Sequence, residues 1–70
     1  MTHTTQQDLI ERLVDIHRLS PGVRFGQLLA NLGFLVEDQT DHTLREIADD
    51  RLLEVMEWHR MDLARRQADV

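Results

Sequence analysis

Histidines and carboxylates are the residues of this chain that could hold a metal ion, but their spacing is poor for it. His59 and Asp62 are three residues apart on a predicted helix, so both could reach one metal from the same helix face. His59 also falls on an apolar helix stripe, which favours a histidine at the edge of a core. His42 stands near Asp38 and Asp41, but that stretch lacks the glycine and the number of oxygen ligands of a calcium loop. We therefore expect no cofactor, and metal binding by a histidine stays open as an alternative.

Nucleophilic and acid–base chemistry has no recognisable arrangement in the sequence. The chain has no cysteine and no glycine-rich phosphate loop, and its single serine, Ser20, precedes Pro21 in a predicted turn. The adjacent acids Asp49 and Asp50 would point in different directions from a helix, so they are better explained as capping its N-terminus than as a general acid and base. The sequence therefore predicts a protein that is not an enzyme.

The stretch from Arg24 to Asn31 carries the most informative pattern in the chain. At 100° per residue on a helix, Gly26, Ala30 and Gly33 line up as a stripe of small residues. A glycine in a helix costs up to about 1 kcal/mol relative to alanine, and a close backbone approach usually offsets that cost. The stripe therefore predicts a tight crossing with another helix, either in the same chain or in a partner.

A polar face made by Arg24, Gln27 and Asn31 lies beside the small residues. An arginine can bind an anion through two hydrogen bonds, and two amides can fix its orientation. Trp58, the only tryptophan, is predicted either at the edge of the core or as the anchor of an interface. These features define a candidate interaction surface that comprises Arg24, Gly26, Gln27, Ala30, Asn31 and Trp58.

Apolar periodicity predicts three helices and no strand, which is the pattern of a small all-α bundle. The predicted helices cover about 6–19, 23–33 and 49–67. A short helical turn near 43–47 either stands alone or extends the third helix. We expect one domain over 1–70, with frayed ends at 1–5 and 68–70.

Helix ends are predicted from capping residues. Thr5, three residues before Asp8, resembles a capping box at the start of the first helix. Gly33 is a natural stop for the second helix, which would leave 34–36 as an extended apolar segment under the bundle. The alternative is a helix that continues to Val36.

The apolar stripes of the three helices predict the core. They comprise Leu9, Ile10, Leu13, Ile16 and His17; Phe25, Leu28, Leu29 and Leu32; and Leu52, Val55, Met56, His59 and Leu63. The second stripe is the cleanest, so Leu28 is expected at the centre. A chain of 70 residues without cysteines buries barely enough apolar surface to offset its conformational entropy. Self-association is therefore expected to supply the remaining stability.

Two segments resemble those of a group of small uncharacterised bacterial helical proteins. The first is Arg24-Phe25-Gly26-Gln27-Leu28-Leu29-Ala30-Asn31, an Arg-x-Gly-Gln-Leu-x-x-Asn pattern, and the second is the acidic-acidic-x-Leu-Leu helix start at Asp49-Asp50-Arg51-Leu52-Leu53. The resemblance covers most of 8–57. It implies a bacterial origin and a shared helical architecture, and no mechanism. The chain departs from the group in its longer loop over 37–46 and its arginine-rich C-terminal tail.

The net charge of −5 and the pI of about 5.1 limit the classes of partner. A negative domain is repelled by phosphate backbones and by anionic membrane surfaces, so we expect neither nucleic acid nor membrane as a partner. The N-terminus lacks the positive and apolar regions of a signal peptide, and we expect a cytoplasmic location.

Three functions compete on this basis. The favoured one is a non-enzymatic helical interaction module, predicted to form a homodimer or other homo-oligomer or to bind a helical protein. The second is a small-ligand or metal-binding protein with a site between subunits, where Arg24, Gln27 and Asn31 would act with a histidine. The third is a helix-turn-helix DNA binder built on the first two helices, which the single arginine of the second helix disfavours.

Overall fold

The computed structural model describes residues 4–68, and 77% of them are helical. Helix α1 spans Thr5–Leu19, α2 spans Phe25–Gln39 and α3 spans Asp49–Ala68, and the described residues contain no strand. The predicted all-α bundle of three principal helices is therefore confirmed. The fraying predicted at the chain ends falls largely on 1–3 and 69–70, which lie outside the described residues.

A capping box fixes the start of α1 one residue before the predicted position. The Oγ1 of Thr4 accepts a hydrogen bond of 3.1 Å from the backbone N–H of Gln7, and the Gln7 Oε1 accepts one of 2.9 Å from the backbone N–H of Thr4. The expectation that Thr5 caps the helix was wrong, because Gln7 rather than Asp8 closes the reciprocal pair. Thr4 and Thr5 accordingly belong to the ordered start of α1.

Replacing Thr4 with alanine is expected to lower the free energy of unfolding by about 1 kcal/mol, because the N–H of Gln7 loses its partner. Thr5→Ala is the matched control and should leave stability nearly unchanged, since Thr5 lies one residue inside the helix. Urea unfolding followed by circular dichroism measures both variants. Equal losses for the two threonines would contradict the assignment of Thr4 as the cap.

Helix α2 is longer than the predicted 23–33, and 34–36 is helical rather than extended. Gly33 has a helical backbone with no positive φ, so it does not end the helix. Val36 is fully buried four residues after Leu32, and its burial outweighs the weak helix-breaking preference of one glycine. The helix ends where Thr40 donates hydrogen bonds from both its backbone N–H and its hydroxyl to the Val36 carbonyl.

The connection from α2 to α3 contains a separate turn, so α3 begins at Asp49 and not at Thr43. The Thr43 hydroxyl donates to the Glu46 carboxylate over 2.8 Å, and the backbone N–H of Ile47 donates to the Thr43 carbonyl. Ile47 is buried in the core beneath this turn. Ala48 separates the turn from the first helical residue of α3.

Helices α1 and α3 run in the same direction and form the most extensive helix pair. The Arg12 Nε lies 3.4 Å from the Glu57 carboxylate, and the Gln67 Nε2 donates over 2.7 Å to the Leu19 carbonyl near the C-terminal ends of both helices. Helix α2 contacts α3 over a shorter stretch and α1 still less. The buried core comprises Ile16, Leu28, Leu32, Val36, Ile47, Val55 and Met56. Among residues 4–68, no helix combines the length and hydropathy needed to cross a bilayer.

Candidate functional site

One face of α2 is covered by the bundle and the rest of its circumference is not. Leu28, Leu32 and Val36 are buried and define the inner face of the helix. The sequence predicted that Phe25 and Leu29 belong to the core with them, and this was wrong. Leu29 is 37% exposed and Phe25 is about half exposed, because α2 makes too few contacts with α1 to cover them.

Phe34 is the most exposed large apolar residue of the described chain, at 67% exposure. It was expected beneath the bundle, but the continuing helix turns it outward, away from Val36. Together with its neighbours, all of them exposed except the partly buried Gly33, it forms what we call the α2 outer surface, which comprises Phe25, Gly26, Leu29, Ala30, Gly33 and Phe34. A helix with exposed apolar residues outside its buried face can use them to bind a partner.

The small residues of α2 face away from the rest of the described chain. A Cβ atom placed on Gly26 or on Gly33 would meet nothing within 4 Å. The sequence left open whether their stripe served a helix of the same chain or of a partner. Within residues 4–68 no helix crosses there, so the intramolecular alternative is excluded for this part of the chain.

The polar residues Arg24, Gln27 and Asn31 are exposed along the flank of α2. The Gln27 Nε2 donates a hydrogen bond of 2.9 Å to the Asn31 Oδ1, so the two amides bind each other. Arg24 is the N-cap residue and makes no side-chain capping bond. The three side chains therefore do not converge on one ligand position.

A depression of about 680 Å³ contains Asn31 but not Arg24 or Gln27. Its other lining residues are Phe34, Leu35, Glu37, Asp38 and His59, and most of them are exposed. Two carboxylates in place of the arginine make this an unsuitable site for an anion. No group of three or more potential metal-ligating side chains is close enough to hold an ion anywhere in 4–68.

A second apolar feature lies where α1, α2 and α3 meet, beside the loop that connects α2 to α3. It is a groove of about 260 Å³ lined by Leu9, Ile10, Leu13, Leu29, Leu32, Leu44, Leu52 and Met56. Ile10 was predicted as a core residue but is 63% exposed, and His17 of the same stripe is exposed as well. Leu29 belongs both to this groove and to the α2 outer surface, so the two are continuous.

Trp58 lies apart from the other candidate residues. It is 51% exposed, and the two depressions that it lines are formed by residues of α3 alone, among them Met61 and Glu57. The structure therefore brings together the five candidate residues of α2, Arg24, Gly26, Gln27, Ala30 and Asn31, and leaves Trp58 on a surface of α3.

Asp62 is the one buried charged residue of the described chain. Its carboxylate pairs with the guanidinium of Arg65 and, over 3.0 Å, with that of Arg66. Two arginines therefore occupy the oxygens that a metal shared with His59 would need. Burial lowers the pKa of His59 below its usual value; the Asp62 charge partly opposes this shift and Arg66 adds to it.

The depressed pKa of His59 predicts a loss of stability as the pH falls through 6.5. The unfolded histidine binds a proton near pH 6.5, whereas the folded one binds it only at lower pH. Protons then favour the unfolded chain as the pH falls through 6.5, until the folded histidine is charged as well. Replacing His59 with glutamine should leave a smaller loss over this range in urea titrations. A variant that loses as much stability as the parent would show that His59 does not contribute.

No family model, no curated protein and no solved structure matches this chain. The α2 outer surface, the adjacent apolar groove and the separate position of Trp58 are therefore the features from which a function has to be inferred.

The exposure of Phe34 was not predicted from the sequence, although the sequence contains a signal for it. Phe34 follows the small stripe at Ala30 by four residues, so a helix that continues past Gly33 places it on the outer half of α2. The exposure of Ile10 had no such signal. It depends on how far apart α1 and α2 stand, which the periodicity of a single helix does not contain.

Proposed function

We propose that the protein is a non-enzymatic interaction module that docks another helix on the α2 outer surface, the helix of a second copy or of a different helical protein. The observation that carries this proposal is the exposure of Phe34, Phe25 and Leu29 around two helical glycines. Small residues let a second backbone approach, and the apolar flanks gain by being removed from water. The groove beside Leu29 extends the same surface toward α1.

Two further features support an interaction module over the other candidate functions. The polar residues of α2 point to no common ligand, and Asn31 shares a depression with carboxylates rather than with Arg24. The outer part of α2 also ends in Glu37 and Asp38, which would face the phosphates of DNA in a helix-turn-helix arrangement. A cytoplasmic, bacterial protein that works by association remains our expectation.

Site-specific photocrosslinking tests this function in the native host. A photoreactive phenylalanine analogue replaces Phe34 in one variant and Trp58 in another, and illumination links each to whatever protein touches it. We expect crosslinked protein from position 34 and none from position 58, because only the first lies on the α2 outer surface. Products from position 58 alone, or from neither position, would overturn the proposal.

A further inference from the structure

The charges at the two ends of α2 oppose its own helix dipole. Arg24 stands at the positive N-terminal end, where the first turn contains no acid. Glu37 and Asp38 stand in the last turn, at the negative end, which contains no basic residue. Cations are favoured at helix C-termini and anions at N-termini, so both ends of α2 carry the unfavourable sign.

Helices α1 and α3 show the opposite, favourable arrangement. Asp8 lies in the first turn of α1 and Arg18 in its last, while α3 begins with two aspartates and ends with two arginines. The inversion is therefore specific to the helix whose outer surface is uncovered. Within residues 4–68, Arg24, Glu37 and Asp38 form no ion pair that would compensate for it.

We propose that the partner of the α2 outer surface is a second copy of this chain, whose α2 lies antiparallel to the first with Arg24 of each copy beside Glu37 and Asp38 of the other. This inference rests on the proposed function. An antiparallel copy brings each arginine to the negative end and the carboxylates of a neighbouring helix, so both mismatches are relieved at once. A parallel copy would instead place arginine against arginine and acid against acid.

The apolar residues fit the same register. Arg24 and Glu37 are separated by about 20 Å along one helix, at about 1.5 Å per residue, so they cannot pair within a chain. A two-fold axis between Ala30 and Asn31, which puts Arg24 level with Glu37 of the second copy, also brings Phe34 to within one residue of Gly26 of that copy. The ring then fills the space left by the missing side chain, where a Cβ would meet nothing in the single chain. Such a contact is isologous and closes as a dimer.

Charge reversal tests the arrangement by sedimentation equilibrium. Arg24→Glu alone, and Glu37→Arg with Asp38→Arg, should each weaken the dimer about tenfold or more, since both symmetry-related contacts turn repulsive. All three substitutions in one chain should restore the parental dissociation constant, because opposite charges again meet across the interface. A parallel dimer would not be weakened by Arg24→Glu in this way.

The same variants distinguish lost docking from lost folding. Each reversal gives the monomeric α2 the favourable sign at one end, so its stability in dilute solution should stay equal or rise. Absence of rescue in the triple variant overturns the antiparallel arrangement. A parent that remains monomeric at every concentration overturns the second copy as partner. The proposed function then still stands if Phe34 crosslinks to a different protein, and it fails if Phe34 crosslinks to none.

Discussion

Replacing Leu28 with alanine is expected to lower the free energy of unfolding by about 2–5 kcal/mol, the range seen when a buried leucine leaves a cavity. Leu28 is only 4% exposed and belongs to the core cluster with Leu32 and Val36. A domain of this size has on the order of 0.1 kcal/mol of stability per residue. The variant should therefore lose a large share of its stability, which a lower urea midpoint followed by circular dichroism would show.

The neighbouring Leu29 offers a matched control, because it has the same side chain on the same helix but is partly exposed. In protein dilute enough to keep copies apart, Leu29→Ala should lower the free energy of unfolding by about 1 kcal/mol or less. Folding removes less apolar area from water at position 29 than at position 28. The contrast between adjacent leucines measures which face of α2 is covered. Equal losses would show that the assignment of the inner face is wrong.

The existence of the three helices could be predicted from local pattern alone. The apolar spacing of α1 and α3, together with their terminal charges, placed the ends of both helices within one residue of Thr5–Leu19 and Asp49–Ala68. Caps and periodicity are contained in a few neighbouring residues, so a single sequence is sufficient for them.

The C-terminal end of α2 could not be predicted in the same way. A glycine is a weak local signal, and the burial of Val36 against the other helices decides whether the helix continues past Gly33. Which side of α2 is covered also depends on where α1 is placed relative to it. Leu29 and Leu32 look alike in the periodicity, but only Leu32 is buried. The sequence therefore predicted the small and polar residues of the candidate site but did not predict Phe34.

Replacing Gly26 with leucine is expected to abolish docking on the α2 outer surface without harming the monomer. Leucine has the higher helix propensity, worth up to about 1 kcal/mol over glycine, and a Cβ at this position meets nothing in the chain. A bulky side chain in a close helix crossing, by contrast, costs about 1–3 kcal/mol through overpacking. The variant should thus be at least as stable as the parent in dilute solution and should fail to associate.

Glu54→Leu is the control for this substitution, because it adds the same side chain at an exposed position of α3, outside the α2 outer surface. If added hydrophobic bulk disturbed association in general, both variants would lose it. If the interface lies on α2, only Gly26→Leu should.

Sedimentation equilibrium of the parent and of Gly26→Leu over a wide concentration range tests the docking surface most directly. We expect the parent to approach twice its chain mass of 8.2 kDa as concentration rises, and Glu54→Leu to follow it. Gly26→Leu should remain at the mass of one chain while staying folded. A parent that stays at 8.2 kDa throughout, or a Gly26→Leu variant that associates as the parent does, would contradict self-association through the outer surface of α2.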